Sequence, residues 1–284
     1  MSIDTHPFFV GLCPSMRQVE TRVALAAQTN ATVLILGETG TGKDTVARSI
    51  HRQSVHKKMP LAVIDCTALP EEYSSFNSLG QTVQGTILLD EVGDLNSQMQ
   101  AMLTRALKET ENSKTNTRVI ATSAFDLQSM MREGKFREDL FYRLNVIPIL
   151  LPTLSERGSD IVSLAELFLN QANKDNLKEL SNEAKAKLLA YDWPGNVREL
   201  QNLMYHLSVV VRKNKLDIED LNLIRTNDNS DNSDLNYYNA ISELEKNLFK
   251  KALDQANGSR TEAARLLGIN RQLLYTKLKA HGLV

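Results

Sequence analysis

The chain is most tightly constrained by Gly37-Glu38-Thr39-Gly40-Thr41-Gly42-Lys43, a glycine-rich turn set between an apolar run and a helical pattern. Before it, Thr32-Val33-Leu34-Ile35-Leu36 is short, β-branched and uninterrupted by polar residues, as in a strand buried on both faces. After it, Val46, Ala47 and Ile50 recur at helical spacing. A strand, a glycine turn and a helix in that order aim backbone N–H groups and a helix N-terminus at one point, where an anion is stabilised. Lys43 would add a point charge directed at the β and γ phosphates of a nucleotide. Aspartate, Asp44, stands where a hydroxyl residue commonly follows the lysine.

Further buried strands are expected at Leu61–Ile64, Thr86–Leu89 and Arg118–Thr122, with helical stretches between them, including Met99–Leu107. Strands alternating with helices predict a parallel sheet covered on both faces, an α/β core. The third strand ends in Asp90-Glu91. The first carboxylate suits Mg²⁺ ligation through water, and the second suits polarising an attacking water. From Leu151 onward the pattern is all-helical. Ile161–Gln171, Asn182–Tyr191 and Asn196–Val211 read as helices of a small lid, with Pro194-Gly195 breaking the chain between the last two.

The expected organisation is therefore a nucleotide-binding core over 1–150, a helical lid over 151–224, a linker over 225–236 and a helical unit over 237–284. The linker assignment rests on Thr226–Asp234, which is polar and acidic and offers nothing apolar to bury. Within the last unit, Ile241, Leu244, Leu248 and Leu253 form one stripe over Ala240–Gln255, and Asn257-Gly258 ends that helix. Ser259 and Glu262 make a capping-box pattern for a short helix ending at Leu267. Gly268-Ile269-Asn270 then turns the chain into a last helix reaching His281, a helix-turn-helix spacing. Arg271 and Gln272 at its start are candidate base readers, with Thr276 beside them, and Lys277 and Lys279 suit phosphates. The partner would be double-stranded DNA read by a dimer.

Composition narrows the setting without naming a ligand. A net charge of −1 gives no global attraction to nucleic acid, so the DNA reading rests on the local basic helix. No apolar run is long enough to span a membrane. MSIDTHPFFVGL has no basic residue ahead of its apolar stretch, so a secretory signal is not expected. The two cysteines, Cys13 and Cys66, lack metal-ligand or disulfide spacing, and Cys66 reads as a buried thiol. A reduced, cytoplasmic setting is the expectation. With the core starting near Gly11, the sequence leads one to expect no sensory domain ahead of it.

Several longer strings resemble the sigma-54-dependent activators, the bacterial enhancer-binding proteins. GETGTGKDTVARSIH at 37–51 is similar to their phosphate-loop segment, acidic residue after the lysine included. GTILLDEVGDL at 85–95, GKFREDLFYRLNVIPILLPTLSER at 134–157 and WPGNVREL at 193–200 match as well, and AARLLGINRQLLYTKLKAHGL resembles the Fis-type domain that ends most members. The resemblance implies an AAA+ P-loop NTPase fold with a helical lid, and ATP or ADP with Mg²⁺ as cofactors. It also implies roles for Arg137 and Arg143, reaching a neighbouring subunit's nucleotide, and for Arg198, sensing the γ-phosphate. Arginines acting in trans imply a hexameric ring, or a mixed ring with a complete paralogue, and RNA polymerase holoenzyme as the target. For Arg137 and Arg143 the residues alone equally allow surface salt bridges to Glu138 or Asp139.

Three positions depart from the family pattern. Ala68-Leu69-Pro70 is followed by only EEYSSFNSLGQTVQGTILL before Asp90, too short for the insertion bearing the sigma-contacting Gly-Ala-Phe-Thr-Gly-Ala loop. Ala124 stands where an asparagine that orients water or senses the γ-phosphate is expected, with Ser123 as a shorter substitute. Asp65 replaces an asparagine that restrains the catalytic glutamate, and would repel Glu91 instead. The combined expectation is a regulator that binds DNA and uses ATP for assembly, with hydrolysis weak or lost and conventional sigma-54 remodelling absent. The alternatives are an active co-activating ATPase and a subunit of a mixed ring.

Overall fold

A computed structural model describes residues 13–68, 84–112, 117–171 and 177–221, with single positions at Ala252, Ala256, Ala263 and Ala264. The chain divides into two compact units, Met1–Arg225 and Thr226–Val284. In chain order, the described elements of the first unit start with α1 (Pro14–Ala27), β1 (Val33–Leu36), α2 (Lys43–Gln53), β2 (Leu61–Asp65) and β3 (Gly85–Asp90). They continue with α3 (Ser97–Asn112), β4 (Thr117–Ser123), α4 (Leu127–Arg132), α5 (Glu138–Leu144) and β5 (Ile147–Leu150). Then come α6 (Asp160–Gln171), β6 (Glu179–Leu180), α7 (Asn182–Ala190), α8 (Asn196–Val210) and β7 (Lys215–Leu216).

Five strands form one parallel sheet in the order β2-β3-β4-β1-β5. Val33 pairs with Ile120 on one side and Ile147 on the other, so β1 is an interior strand, and its loop leaves at the carboxyl end of the sheet. That end is where open α/β sheets bind ligands. The alternation of strand side chains splits the core into two layers. Val33, Ile35, Leu88, Ile120 and Ile149 pack with Met16, Val19, Val23, Val46 and Ile50 of α1 and α2. Leu34, Ile87, Leu89, Val119 and Ala121 pack instead with Met99, Leu103, Leu140 and Leu144 of α3 and α5. Both faces are covered, so β1 is apolar along its length and β3 and β4 are apolar through their middles, Ile87–Leu89 and Val119–Ala121.

Several elements went unassigned in the sequence, among them α1, α4, α5 and β5, and the stretch expected to be all-helical after Leu151 also holds the short strands β6 and β7. Helix α1 buries Met16, Val19, Val23 and Ala26, and starts with a proline in its first turn. Strand β5 contains Pro148, which demotes a run on sequence grounds. The structure accommodates it because β5 lies at the sheet edge, where a missing N–H is harmless.

The lid has its own core of Leu154, Ile161, Leu164, Phe168, Leu188, Trp193, Leu200, Met204 and Leu207. Ser181 caps α7 by accepting from the Ala184 N–H at 3.2 Å. Of the second unit, Ala256 N–H donates to the Ala252 carbonyl at 3.0 Å, one helical turn, and Ala252, Ala256, Ala263 and Ala264 are buried. The base-reading and phosphate candidates Arg271, Gln272, Thr276, Lys277 and Lys279 lie outside the described residues, as does the segment after Ala68 up to Val83. Among the described residues no helix is long and apolar enough to cross a membrane.

At the amino-terminal end of the sheet, Arg118 is fully buried and donates to the Ala26 carbonyl at 2.6 Å. His51 meets the Thr86 hydroxyl at 2.8 Å, and His56 meets Asn30 Oδ1 at 2.9 Å. Burial pushes both histidines below their ordinary range, and the Arg118 guanidinium pushes the same way. The unfolded chain then binds more protons than the folded one once pH falls below about 6.5, so acid removes stability. Denaturant melts from pH 7 down to 5 should show stability falling, by at most about 1.4 kcal/mol per pH unit per histidine. A flat profile over that window would contradict the assignment.

Candidate functional site

The site is built at the carboxyl ends of β1, β3 and β4. Gly40 and Gly42 adopt left-handed conformations, φ +82° and +102°, which L side chains rarely accept, and the turn they make delivers the chain into α2. Thr41 Oγ1 and Thr41 N–H both close back on the Glu38 carbonyl, at 2.7 and 3.3 Å. The resulting cleft, of about 480 Å³, is lined by Thr39, Gly40, Thr41, Gly42, Lys43, Asp44, Asp90, Glu91, Asp94 and Arg198 at its polar end. Met16, Val46, Leu151, Leu164 and Val197 line it elsewhere, which gives an apolar wall from α1 to the lid. Of the sequence-predicted loop residues, Gly37 and Glu38 instead line a neighbouring groove with Phe125 and Pro152.

Lys43 is almost wholly buried, and its ammonium donates to the carbonyls of Gly37 (2.8 Å) and Glu38 (3.2 Å). Its third direction is taken by Glu91 Oε1 at 2.9 Å. Glu91 is itself in a left-handed backbone conformation, φ +55°, unusual for a residue with a Cβ and typical of strain kept at a working site. The other carboxylate oxygen of Glu91 accepts the Ala124 backbone N–H at 2.6 Å. Thr122, which sequence reasoning missed, binds the pair from β4: its hydroxyl donates to Asp90 Oδ1 at 2.5 Å and accepts the Glu91 N–H at 2.9 Å. A β-branched hydroxyl in a strand gives no sequence signal for such a role.

One expectation about this corner needs correction, and a second gains a local partner. Ser123 offers no hydroxyl to the cleft, because it is fully buried and paired with Phe125, accepting its N–H at 3.0 Å and donating to its carbonyl at 3.1 Å. Asp65 holds no direct contact with Glu91. It accepts the Thr67 N–H and hydroxyl at 2.9 and 2.7 Å, and those bonds hold its carboxyl below the ordinary range. Glu91 is restrained from β4 and the phosphate loop, not from β2. Repulsion does reach Asp94, whose carboxyl is raised first by burial and then by Glu91 and Asp65. Cys66, beneath the carboxylates, is pushed up to about 12, mainly by burial, so it stays an inert thiol.

Asp44 forms a two-oxygen pair with Arg48 at 3.0 and 2.8 Å on the exposed side of α2. Arg137 forms a similar pair with Asp139, both bonds 3.0 Å, the salt-bridge alternative open from sequence. Neither Arg137 nor Arg143 lines the cleft of its own chain. No group of three or more His, Cys, Asp or Glu side chains among the described residues is arranged to hold a metal alone.

The lid reaches the loop through residues that sequence reasoning left out. Asn196, fully buried at φ +53°, accepts the Leu154 N–H at 2.8 Å and donates to Glu38 Oε2 at 3.0 Å and to the Thr39 carbonyl at 3.2 Å. Arg157, 4% exposed, donates to the carbonyls of Thr41 (2.8 Å) and Pro152 (3.0 Å).

A parallel sheet with a glycine phosphate loop at its centre, a strand-end Asp-Glu and a helical lid folded onto that loop defines a AAA+ P-loop NTPase architecture. Residues 10–154 match the family described as Sigma-54 interaction domain, 155–236 the AAA+ ATPase lid domain and 240–281 the bacterial regulatory protein Fis family. The chain is 36% identical over 298 residues to the transcriptional regulatory protein ZraR of Escherichia coli K12, covering 95% of this chain and 68% of ZraR. It is 36% identical over 310 residues to the regulatory protein AtoC of the same strain, covering 95% and 67%. The crystal structure of NtrX from Brucella abortus in complex with ADP superposes with a TM-score of 0.68 at 29% identity, over 96% of this chain and 68% of that one. The chain belongs to the sigma-54-dependent transcriptional regulators, with an AAA+ domain, its lid and a Fis-type helix-turn-helix.

Proposed function

We propose that this regulator binds ATP or ADP in the cleft between phosphate loop and lid, uses nucleotide to control self-association, and reads double-stranded DNA through its C-terminal helix-turn-helix. The observation that carries the nucleotide half is the loop itself, with Gly40 and Gly42 left-handed, Lys43 buried beneath them and Asp90-Glu91 facing them. NtrX, similar over 96% of this chain, has been crystallised with ADP and with ATP. The apolar wall of Met16, Val46, Leu164 and Val197 suits a base, and Arg198 suits a terminal phosphate.

The residues present fit a magnesium ion arriving with the nucleotide. Asp94, raised first by burial and then by Glu91 and Asp65, lies among carboxylates whose charge a divalent cation would relieve. Asp90 would hold it through water, since Mg²⁺ keeps most of its waters and uses few protein carboxylates. Bound there, the ion would neutralise phosphate charge. The chain's own part is to orient: Thr122 fixes Asp90, while Lys43 and the Ala124 N–H fix Glu91.

Hydrolysis is proposed to be weak. Ala124 presents a methyl group and a backbone N–H at the position of the expected asparagine, and that N–H is spent on Glu91. A catalytic glutamate tied to the phosphate-loop lysine is held away from a general-base role, and the methyl group of Ala124 cannot orient a water. The short segment between Pro70 and Gly85 leaves the Gly-Ala-Phe-Thr-Gly-Ala loop out, so remodelling of sigma-54 polymerase is proposed to be lost as well. Purified protein is expected to bind ATP and change its sedimentation with it, yet to turn over slowly and to form no open complex with sigma-54 polymerase. Robust turnover together with open-complex formation would falsify this reading.

A second reading is favoured by one observation: Arg137 and Arg143 lie off their own chain's cleft, as groups serving a neighbour would. A mixed ring with a complete paralogue needs only that face. Sedimentation with a candidate paralogue, with and without ATP, separates it from self-association.

Glu91 also sets a difference between nucleotides. Its carboxylate takes the donor direction of Lys43 that a phosphate oxygen would otherwise use. Glu91→Gln removes the ion pair and is expected to tighten ATP binding about tenfold, with ADP less affected, as for a partly buried charge pair. Equal shifts for the two nucleotides, read by calorimetry, would show that the carboxylate does not compete with the terminal phosphate.

A further inference from the structure

The crown of the phosphate loop is held from outside by three donors that come from beyond the loop. The Thr39 carbonyl accepts Asn196 Nδ2 at 3.2 Å, the Gly40 carbonyl accepts the Arg198 N–H at 3.3 Å, and the Thr41 carbonyl accepts Arg157 at 2.8 Å. Each carbonyl shares a rigid peptide plane with the following N–H. Fixing the carbonyls outward therefore fixes the N–H groups of Gly40, Thr41 and Gly42, and of these only Thr41's is turned back on the loop itself. Asn196 makes the arrangement specific. It is fully buried, carries the strain of a left-handed backbone, and uses both ends of its amide: its oxygen on Leu154 N–H, its nitrogen on Glu38 Oε2 at 3.0 Å and Thr39 O. Glu38 is exposed, and its side chain faces the groove behind the loop, not the cleft. Its carbonyl holds Lys43 and Thr41, and its carboxylate is joined to the lid through Asn196.

We propose that Asn196 and Glu38 are positioning residues for nucleotide phosphate: they clasp the lid to the phosphate loop and hold its N–H groups in the binding orientation. Phosphate arriving in the cleft and the lid position are coupled through this clasp, and the coupling runs through lid residues. The inference rests on the nucleotide-binding reading above.

The test is binding by the full chain of two ligands, ADP and adenosine, followed by calorimetry or by the fluorescence of Trp193. Trp193 is the single tryptophan, buried in the lid with its indole N–H on the Leu188 carbonyl at 2.9 Å. Glu38→Ala is expected to weaken ADP about fivefold, and Asn196→Gly, which keeps the left-handed backbone unstrained, about 30-fold. Glu38→Gln, whose amide oxygen still accepts from Asn196, should restore near-native ADP binding. Adenosine, lacking phosphate, should bind all variants as it binds the unaltered chain. Parallel loss of adenosine and ADP would overturn the inference, because it would mark a general disturbance of the lid. Unchanged ADP binding in Glu38→Ala and Asn196→Gly would overturn it too, while leaving the nucleotide site standing. Failure of the unaltered chain to bind ADP would remove both.

Discussion

Replacing Lys178 by methionine is expected to destabilise the lid by about 3 kcal/mol, lowering the thermal midpoint by about 6–12 °C. Lys178 is 2% exposed, a rare state for a lysine. Its ammonium sits at the end of α8, donating to the carbonyls of Ser208 at 2.7 Å, Leu207 at 3.3 Å and, closest, Val211. The Leu207 carbonyl also accepts the Val211 N–H at 3.1 Å, while those of Ser208 and Val211 lie past the last bond of the helix, where the negative end of its dipole lies as well. The backbone of Lys178 is fixed separately, its N–H on Asn170 Oδ1 at 3.0 Å. Methionine fills most of the volume but offers no donor, so the carbonyls of Ser208 and Val211 lose their partner at once and that of Leu207 keeps only the Val211 N–H. Calorimetry of the full chain reads the midpoint, and Trp193 emission reports the lid locally. A shift below about 2 °C would mean that other groups or water satisfy those carbonyls as well as the ammonium does.

Lys178 also shows where sequence ran out. Its pattern is that of any surface lysine before a short strand, and its burial depends on α8 ending beside it, a fact of tertiary packing. The same holds at the site. Gly37–Lys43 and Asp90-Glu91 were legible because a phosphate cradle needs local backbone geometry, and local geometry is written in glycine spacing. The sheet was legible because strands covered on both faces are apolar where they are covered, as Val33–Leu36 and Ile87–Leu89 are. Asn196 was not, although it stands in a motif already singled out for Arg198. A buried asparagine joining residues 38, 39 and 154 is specified by three distant segments. The local partner of Asp65 went unread for a different reason. That partner, Thr67, is two residues away, and a short Asx-type turn outcompetes a distant carboxylate.

Gly40→Ala is expected to abolish measurable nucleotide binding, a loss of more than about 100-fold in affinity. Two separate costs fall on one methyl group. The backbone at Gly40 is left-handed, φ +82°, which costs a non-glycine residue on the order of 1–3 kcal/mol. A Cβ built there would also lie 2.4 Å from the Gly195 carbonyl oxygen, and 3.4 Å from Arg198 Cβ. A backbone oxygen has no rotamer by which to retreat, so the lid loop from Trp193 to Arg198 has to lift. Lifting it breaks the Arg198 N–H bond to Gly40 and draws Asn196 away from Thr39 and Glu38. Gly134→Ala separates the two costs. Gly134 is also left-handed, φ +72°, but a Cβ there meets nothing within 4 Å. That variant should lose stability by about 1 kcal/mol and keep its nucleotide affinity. If Gly40→Ala behaved like Gly134→Ala, the close approach of lid to loop would be dispensable, and the strain alone would account for the glycine. If it loses nucleotide while its lid melts normally, the contact at Gly195 is what brings the cleft to its binding shape.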